Sequence, residues 1–163
     1  MWSNQLAGQL DYPVPMVPKR GYHAHIAQPG VTLDYPVLSI SHHFVMTPML
    51  EGIRLAGTAE FAALDAPPDY RRAQALVKLA GRYLDGLQAP EVSEWMGQRP
   101  MTSDSLPVIS ASPASSDVFY AFGHGHFGLT QGPTTGRIIA DMMAGESNKF
   151  TRHYVVNHKI PYT

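Results

Sequence analysis

Glycine and histidine crowd one short stretch of this chain. Gly123-His124-Gly125-His126-Phe127-Gly128-Leu129-Thr130 follows the apolar run Val118-Phe119-Tyr120-Ala121-Phe122. It precedes Ile138, Ile139, Met142 and Met143, which mark a helix that stops at Gly145. Five of the fourteen glycines fall between Gly123 and Gly136, so the pattern predicts a strand, a glycine-rich loop over 123–136 and a helix. Glycine lets a backbone approach a ligand closely and take positive φ. A helix start offers N–H groups and partial positive charge. Such a unit suits an anionic or electron-rich ligand group. No Gly-Lys-Ser/Thr follows, so it is not a Walker phosphate loop. Gly123, Gly125 and Gly128 carry the letters of the dinucleotide fingerprint, but no partner strand with an acidic end follows them. On these residues alone a ligand loop and a plain structural turn are both open.

The eight histidines form a second group of candidates: His23 and His25 alternate, His42 and His43 are adjacent, and His124 and His126 flank Gly125. A zinc site needs three or four convergent ligands. The His-x-His-x-Asp-His pattern of a metal hydrolase is missing, because Gly128 and Leu129 follow the second histidine. No metal site is expected, and a His-ligated metal enzyme is the least favoured function. Cysteine is absent, which removes disulfides, thiolate catalysis and cysteine-ligated zinc.

Twelve basic and thirteen acidic side chains give a net charge of -1, leaving no basic field for nucleic acid or anionic membrane. Charged residues make up 15% and hydrophobic residues 44%, so a folded domain is expected. No apolar run reaches the roughly 18 residues of a transmembrane segment. The first residues show no signal-peptide pattern, and a soluble cytoplasmic protein is the expectation.

The elements that must position these residues read as α+β. Trp2 to Leu10 suggests a short helical turn, and Pro13, Pro15 and Pro18 force an extended connection. Residues 20–27 alternate, with Tyr22, Ala24 and Ile26 on one strand face and His23 and His25 on the other. Strands are predicted over 36–41, 43–49, 53–61 and 91–99, forming an antiparallel sheet. Pro67-Pro68-Asp69 opens a helix over 69–85, with Ala73, Leu76, Val77, Ala80, Tyr83, Leu84 and Leu87 at i, i+3, i+4, i+7 spacing. Residues 100–117 read as turns.

Two adjoining segments carry a family resemblance. Trp95-Met96-Gly97-Gln98-Arg99-Pro100-Met101-Thr102-Ser103-Asp104-Ser105-Leu106-Pro107-Val108-Ile109 and Phe119 to Thr130 resemble the C-terminal region of the D-amino-acid oxidase-like family of FAD-dependent oxidoreductases. The nearest group is similar to bacterial D-amino-acid dehydrogenases, including the D-hydroxyproline type. Trp2-Ser3 and Arg20-Gly21-Tyr22-His23 also resemble family segments, and the likeness extends over about 1–146.

The resemblance implies a substrate domain over 1–98 and a flavin-contacting return segment over 99–146, followed by a tail over 147–163. It also implies an N-terminal Rossmann-type FAD domain; no strand–GxGxxG–helix unit with an acidic ribose ligand is found ahead of the substrate segments in this sequence. The chain thus looks like the C-terminal part of such an enzyme, inactive without an FAD domain from a longer chain or a partner. Arg99 would hold the substrate carboxylate; Tyr22, His23 and His43 read either as substrate-facing or as packing and surface residues, Tyr22 and His43 being taken as the substrate-binding candidates. Asp104, Leu106 and Pro107 would pass beside the flavin. Gly123, His124, Gly125, His126, Phe127, Gly128, Leu129 and Thr130 would wrap its pyrimidine edge, with the amides of 126–130 stabilising the reduced ring. Hydride transfer from the α-carbon to the flavin would give an imino acid that water hydrolyses; no catalytic side chain is named.

Glu60 reads as either a buried polar anchor or a substrate-ammonium partner. Three departures stand out: Ser103 and Ser105 replace Pro and Gly, Ser110 replaces Gly, and the tail differs. The rival reading is a non-catalytic binding or oligomerisation module, since loss of the FAD half would bare apolar surface.

Overall fold

Alternating burial along the strands fixes which side chains reach the core. In the computed structural model, which describes residues 1–146 and 149–150, the order is α1 (Trp2–Gln9), β1 (Met16–Ile26), β2 (Val37–Ser39), β3 (Phe44–Pro48), β4 (Ile53–Phe61), α2 (Arg71–Ala80), β5 (Val92–Thr102), β6 (Val108–Ala111), β7 (Phe119–Phe122) and α3 (Gly128–Met143). The tail expected over 147–163 lies outside the described residues, apart from 149 and 150. The fold is α+β, with three helices among the described residues, a five-stranded sheet ordered β2-β3-β4-β1-β5 and a two-stranded β6-β7 sheet. β2–β3, β3–β4 and β6–β7 pair antiparallel.

The chain divides into two compact units, 20–98 and 1–19 with 99 onwards, the crossings falling inside β1 and β5. In the 20–98 unit, Tyr22, Ala24 and Ile26 of β1, Phe44 and Met46 of β3, and Ile53 and Leu55 of β4 are buried with Ala73, Leu76 and Ala80 of α2. The period-2 stripe of the strands meets the 3.6-period stripe of α2, so the helix covers one sheet face. In the other unit, Ala7 of α1 and Val14 pack with Val108 of β6 and Tyr120 of β7.

Two predicted boundaries are corrected. The helix expected over 69–85 runs only from Arg71 to Ala80. Gly81 follows, and the chain winds on in three-residue turns closed by Tyr83 N–H to Ala80 O at 2.9 Å and Leu87 N–H to Leu84 O at 3.1 Å. Leu84 and Leu87 still pack on the core, which is why their spacing looked helical. The glycine-rich loop expected over 123–136 ends at Phe127, because α3 begins at Gly128 and carries Gly132, Pro133 and Gly136 within it. Each of those residues lowers helix propensity. Burial of Thr135 and Ile138 on the packed face outweighs them. The turn-rich stretch 100–117 also holds a strand, β6, whose Val108, Ile109 and Ser110 are buried.

Candidate functional site

The end of β5 and the turn before α3 build the candidate site together. Pro100 O accepts the Gly125 N–H at 3.0 Å, and Met101 forms an isolated antiparallel bridge with His124. Gly123 and Gly125 have φ of 81° and 53°. A Cβ at Gly123 would lie 2.9 Å from Thr102 Cγ2, and one at Gly125 2.8 Å from Met101 Sδ. Both conformation and space therefore call for glycine at these two positions. His124 Nε2 meets Thr135 Oγ1 at 2.9 Å, tying the turn to α3. Burial pushes the His124 imidazole below its ordinary pKa.

The Phe127 N–H donates to His124 O at 2.9 Å, and the Gln131 N–H to Phe127 O at 2.8 Å. The second bond is the first of the helix, so the amides of Gly128, Leu129 and Thr130 have no helical acceptor. Of the amides expected at a flavin edge, that of Phe127 is therefore already engaged within the turn. Leu106, Phe127 and Leu129 expose apolar side chains, Leu129 at 95%. Asp104 Oδ1 accepts the Leu106 N–H at 3.0 Å, and Thr102 Oγ1 donates to Leu106 O at 2.7 Å, which closes the β5–β6 turn. Pro107, Thr130 and Gln131 help line a cavity of about 120 Å³. Gln131 Oε1 is buried without a hydrogen-bond partner.

Arg99 is half-buried on β5. Its charge, with that of Lys19, acts on His126, whose imidazole is held below its ordinary pKa first by burial and then by these two cations. The structure thus brings Arg99, Asp104, Leu106, Pro107 and the 123–130 segment into one unit.

Tyr22 and His43 belong to the 20–98 unit. Tyr22 is buried, and its hydroxyl donates to Glu60 Oε2 at 2.6 Å and accepts the Asp69 N–H at 3.0 Å. Its proton is committed inside the protein, so the expected substrate-facing hydroxyl is a structural clamp as it stands. Glu60 also lies 3.7 Å from Arg20 and 3.5 Å from Arg72, as a polar anchor. Buried Arg20 donates to the carbonyls of Ala63 at 2.6 Å, Ala66, and Pro67 at 3.1 Å. His43 is exposed, with φ of 52°, between β2 and β3.

Sequence reasoning passed over Arg20 and Arg54. Arg54 was findable, since it lies between the core residues Ile53 and Leu55 and must face the other way. Among the described residues, no group of three or more His, Asp or Glu side chains could hold a metal ion. No helix among them is long and apolar enough to cross a membrane.

The fold and these segments match a known class. The profile of the FAD dependent oxidoreductase family, DAO, matches residues 1–142, and the chain belongs to this family. It is 34% identical over 148 residues to a D-amino-acid oxidase of Bradyrhizobium diazoefficiens, covering 88% of this chain and 35% of that protein. It is 33% identical over 144 residues to a D-amino acid dehydrogenase of Paramagnetospirillum magneticum, covering 86% and 34%. The chain thus spans about a third of the length of these relatives. Among solved structures, glycine oxidase from Geobacillus kaustophilus superposes with a TM-score of 0.80 at 20% identity, covering 98% of this chain and 44% of that one.

The full-length family uses FAD. An isoalloxazine presents an apolar ring whose pyrimidine edge alternates hydrogen-bond acceptors with an N–H donor. The helix-start amides, the orphaned Gln131 Oε1 and the exposed Leu106, Phe127 and Leu129 fit such a ring edge.

Proposed function

We propose that the chain is the substrate-binding and flavin-contacting part of an FAD-dependent amino-acid oxidoreductase of the D-amino-acid dehydrogenase type. In this reading, residues 1–98 form the substrate portion and 99–146 the flavin-contacting return. A Rossmann-type FAD domain is supplied by a longer parent chain or by a partner. The observation that supports it most is the unit in which Arg99 and the amides that open α3 lie beside one turn, within a chain whose family match spans 1–142.

Arg99 binds the substrate carboxylate through its planar fork, which fixes the orientation of the α-carbon. Bound flavin supplies the hydride acceptor. The amides of Gly128, Leu129 and Thr130, backed by the α3 dipole, would hold the pyrimidine edge of the flavin and favour its anionic reduced form. Gly123 and Gly125 let the backbone come close enough, and His124 holds the turn on α3 through Thr135. Leu106, Pro107 and Leu129 would shield the ring edge from water. His126, kept neutral by burial and by Arg99 and Lys19, adds no competing positive charge beside the carboxylate.

The test is flavin absorbance and fluorescence of the purified chain on titration with FAD, followed by dye-linked oxidation of D-amino acids. A perturbed flavin spectrum with turnover supports the reading. A stable oligomer that leaves free FAD unperturbed overturns autonomous catalysis by the chain. That outcome would favour the second reading, a binding or oligomerisation module, which the exposed Phe127 and Leu129 also support.

A further inference from the structure

The sheet face of the 20–98 unit turned away from α2 carries a guanidinium, that of Arg54, that none of the roles above uses. Along β1, Tyr22, Ala24 and Ile26 enter the core with α2, so His23 and His25 project from the opposite face. On neighbouring β4, Ile53 and Leu55 enter the same core, and Arg54 projects with the histidines. β5 flanks β1 on its other side and contributes Trp95. The Trp95 ring stacks on the His23 imidazole, with centroids 5.0 Å apart and planes 20° from parallel. The indole lies down along its own strand, since a Cβ at Gly97 would fall 1.8 Å from its edge.

These groups are close enough to interact. Burial lowers the His23 pKa, and the charges of Arg54 and His25 lower it further. Two polar atoms are left over: Arg54 Nε and His25 Nδ1 are buried and have no hydrogen-bond partner. Among the described residues, no carboxylate forms an ion pair with Arg54, His23 or His25. Buried guanidinium and imidazole nitrogens are normally satisfied, and the partly buried Arg54 guanidinium has no acid beside it as a counter-charge. An arriving anion would remove both penalties.

We infer that Arg54, His23 and His25, walled by Trp95, form a subsite for a carboxylate. The Arg54 fork matches a planar carboxylate, the imidazoles add N–H donors, and the flat indole covers the methylene next to it. Assigning that carboxylate to the side chain of an acidic amino-acid substrate rests on the oxidoreductase reading. The subsite itself does not.

Succinate, a dicarboxylate without an amino group, is the probe. It is titrated into the purified chain while the imidazole resonances of His23 and His25 are followed by NMR. Succinamide serves as the uncharged isostere. Succinate is expected to shift both resonances saturably, and succinamide to leave them in place. Arg54→Gln should weaken the succinate response by about tenfold or more, the scale of one charge-assisted hydrogen bond, while exposed Arg82→Gln leaves it unchanged. Arg54→Lys, which keeps the charge, should retain part of the response. Far-UV circular dichroism checks folding. If Arg54→Gln is unfolded, His23→Gln replaces it with the same expected loss. No saturable shift, or an equal shift in Arg54→Gln and the parent, overturns the subsite. No flavin is needed, so that failure leaves the oxidoreductase reading standing. Succinate binding without turnover of aspartate or glutamate in an active assay keeps the subsite and removes its assignment to the substrate.

Discussion

Ser105 holds φ of 62° in the turn between β5 and β6, a conformation that costs a non-glycine residue about 1–2 kcal/mol. The family resemblance puts glycine there, and the backbone angle explains why. Ser105→Gly is expected to raise stability by roughly 1 kcal/mol, net of the entropy glycine adds to the unfolded chain; the midpoint of urea unfolding reads it. Ser110, the other serine at a usual glycine position, is buried with its hydroxyl unpartnered. The backbone there accommodates a side chain without satisfying it. Arg99 carries the clearest functional prediction. Arg99→Ala should raise KM for a D-amino acid about tenfold or more in the dye-linked assay, the scale of a lost charge-assisted pair. A change confined to kcat would move Arg99 out of the carboxylate role.

Elements show where sequence patterns were sufficient. β4 spans Ile53–Phe61, the range expected for it, and the alternation read along 20–27 reappears in β1, where Tyr22, Ala24 and Ile26 enter the core. α3 started earlier than expected, because Gly132, Pro133 and Gly136 disfavour a helix locally while packing of Thr135 and Ile138 decides globally. β6 was hidden among serines and prolines, and its burial depends on β7 and α1 rather than on its own pattern. The glycines at the site were legible in the sequence. The Arg20–Glu60–Tyr22 clamp was not, since its partners lie far apart along the chain. That clamp fastens the connection between β4 and α2 to β1 through three carbonyls. Arg20→Leu should cost about 3–5 kcal/mol, because it strands those carbonyls and leaves Glu60 with less positive charge beside it. Chemical denaturation with near-parent far-UV dichroism before the transition checks this; a loss below about 1 kcal/mol would refute the clamp.

At the scale of the whole molecule, acid should weaken both units. His23 in one unit, and His124 and His126 in the other, are all held below the ordinary value of 6.5, burial being the first cause. Each such group binds more protons unfolded than folded, so its stabilisation is complete above about 6.5 and is lost as pH falls towards the folded value. The unfolding midpoint is expected to drop between pH 7.5 and 5.5, and His124→Gln should flatten part of that slope. A pH-independent midpoint would contradict this assignment. The chain also holds only two tryptophans, and they fall one to each unit: Trp2 on α1, and Trp95 lying against His23. An imidazolium quenches indole emission on contact, so the Trp95 signal should dim when His23 gains a proton, while Trp2 remains bright. With Trp2→Phe as the background, the protein becomes its own fluorescent indicator for the charged face beside β1, with no dye attached.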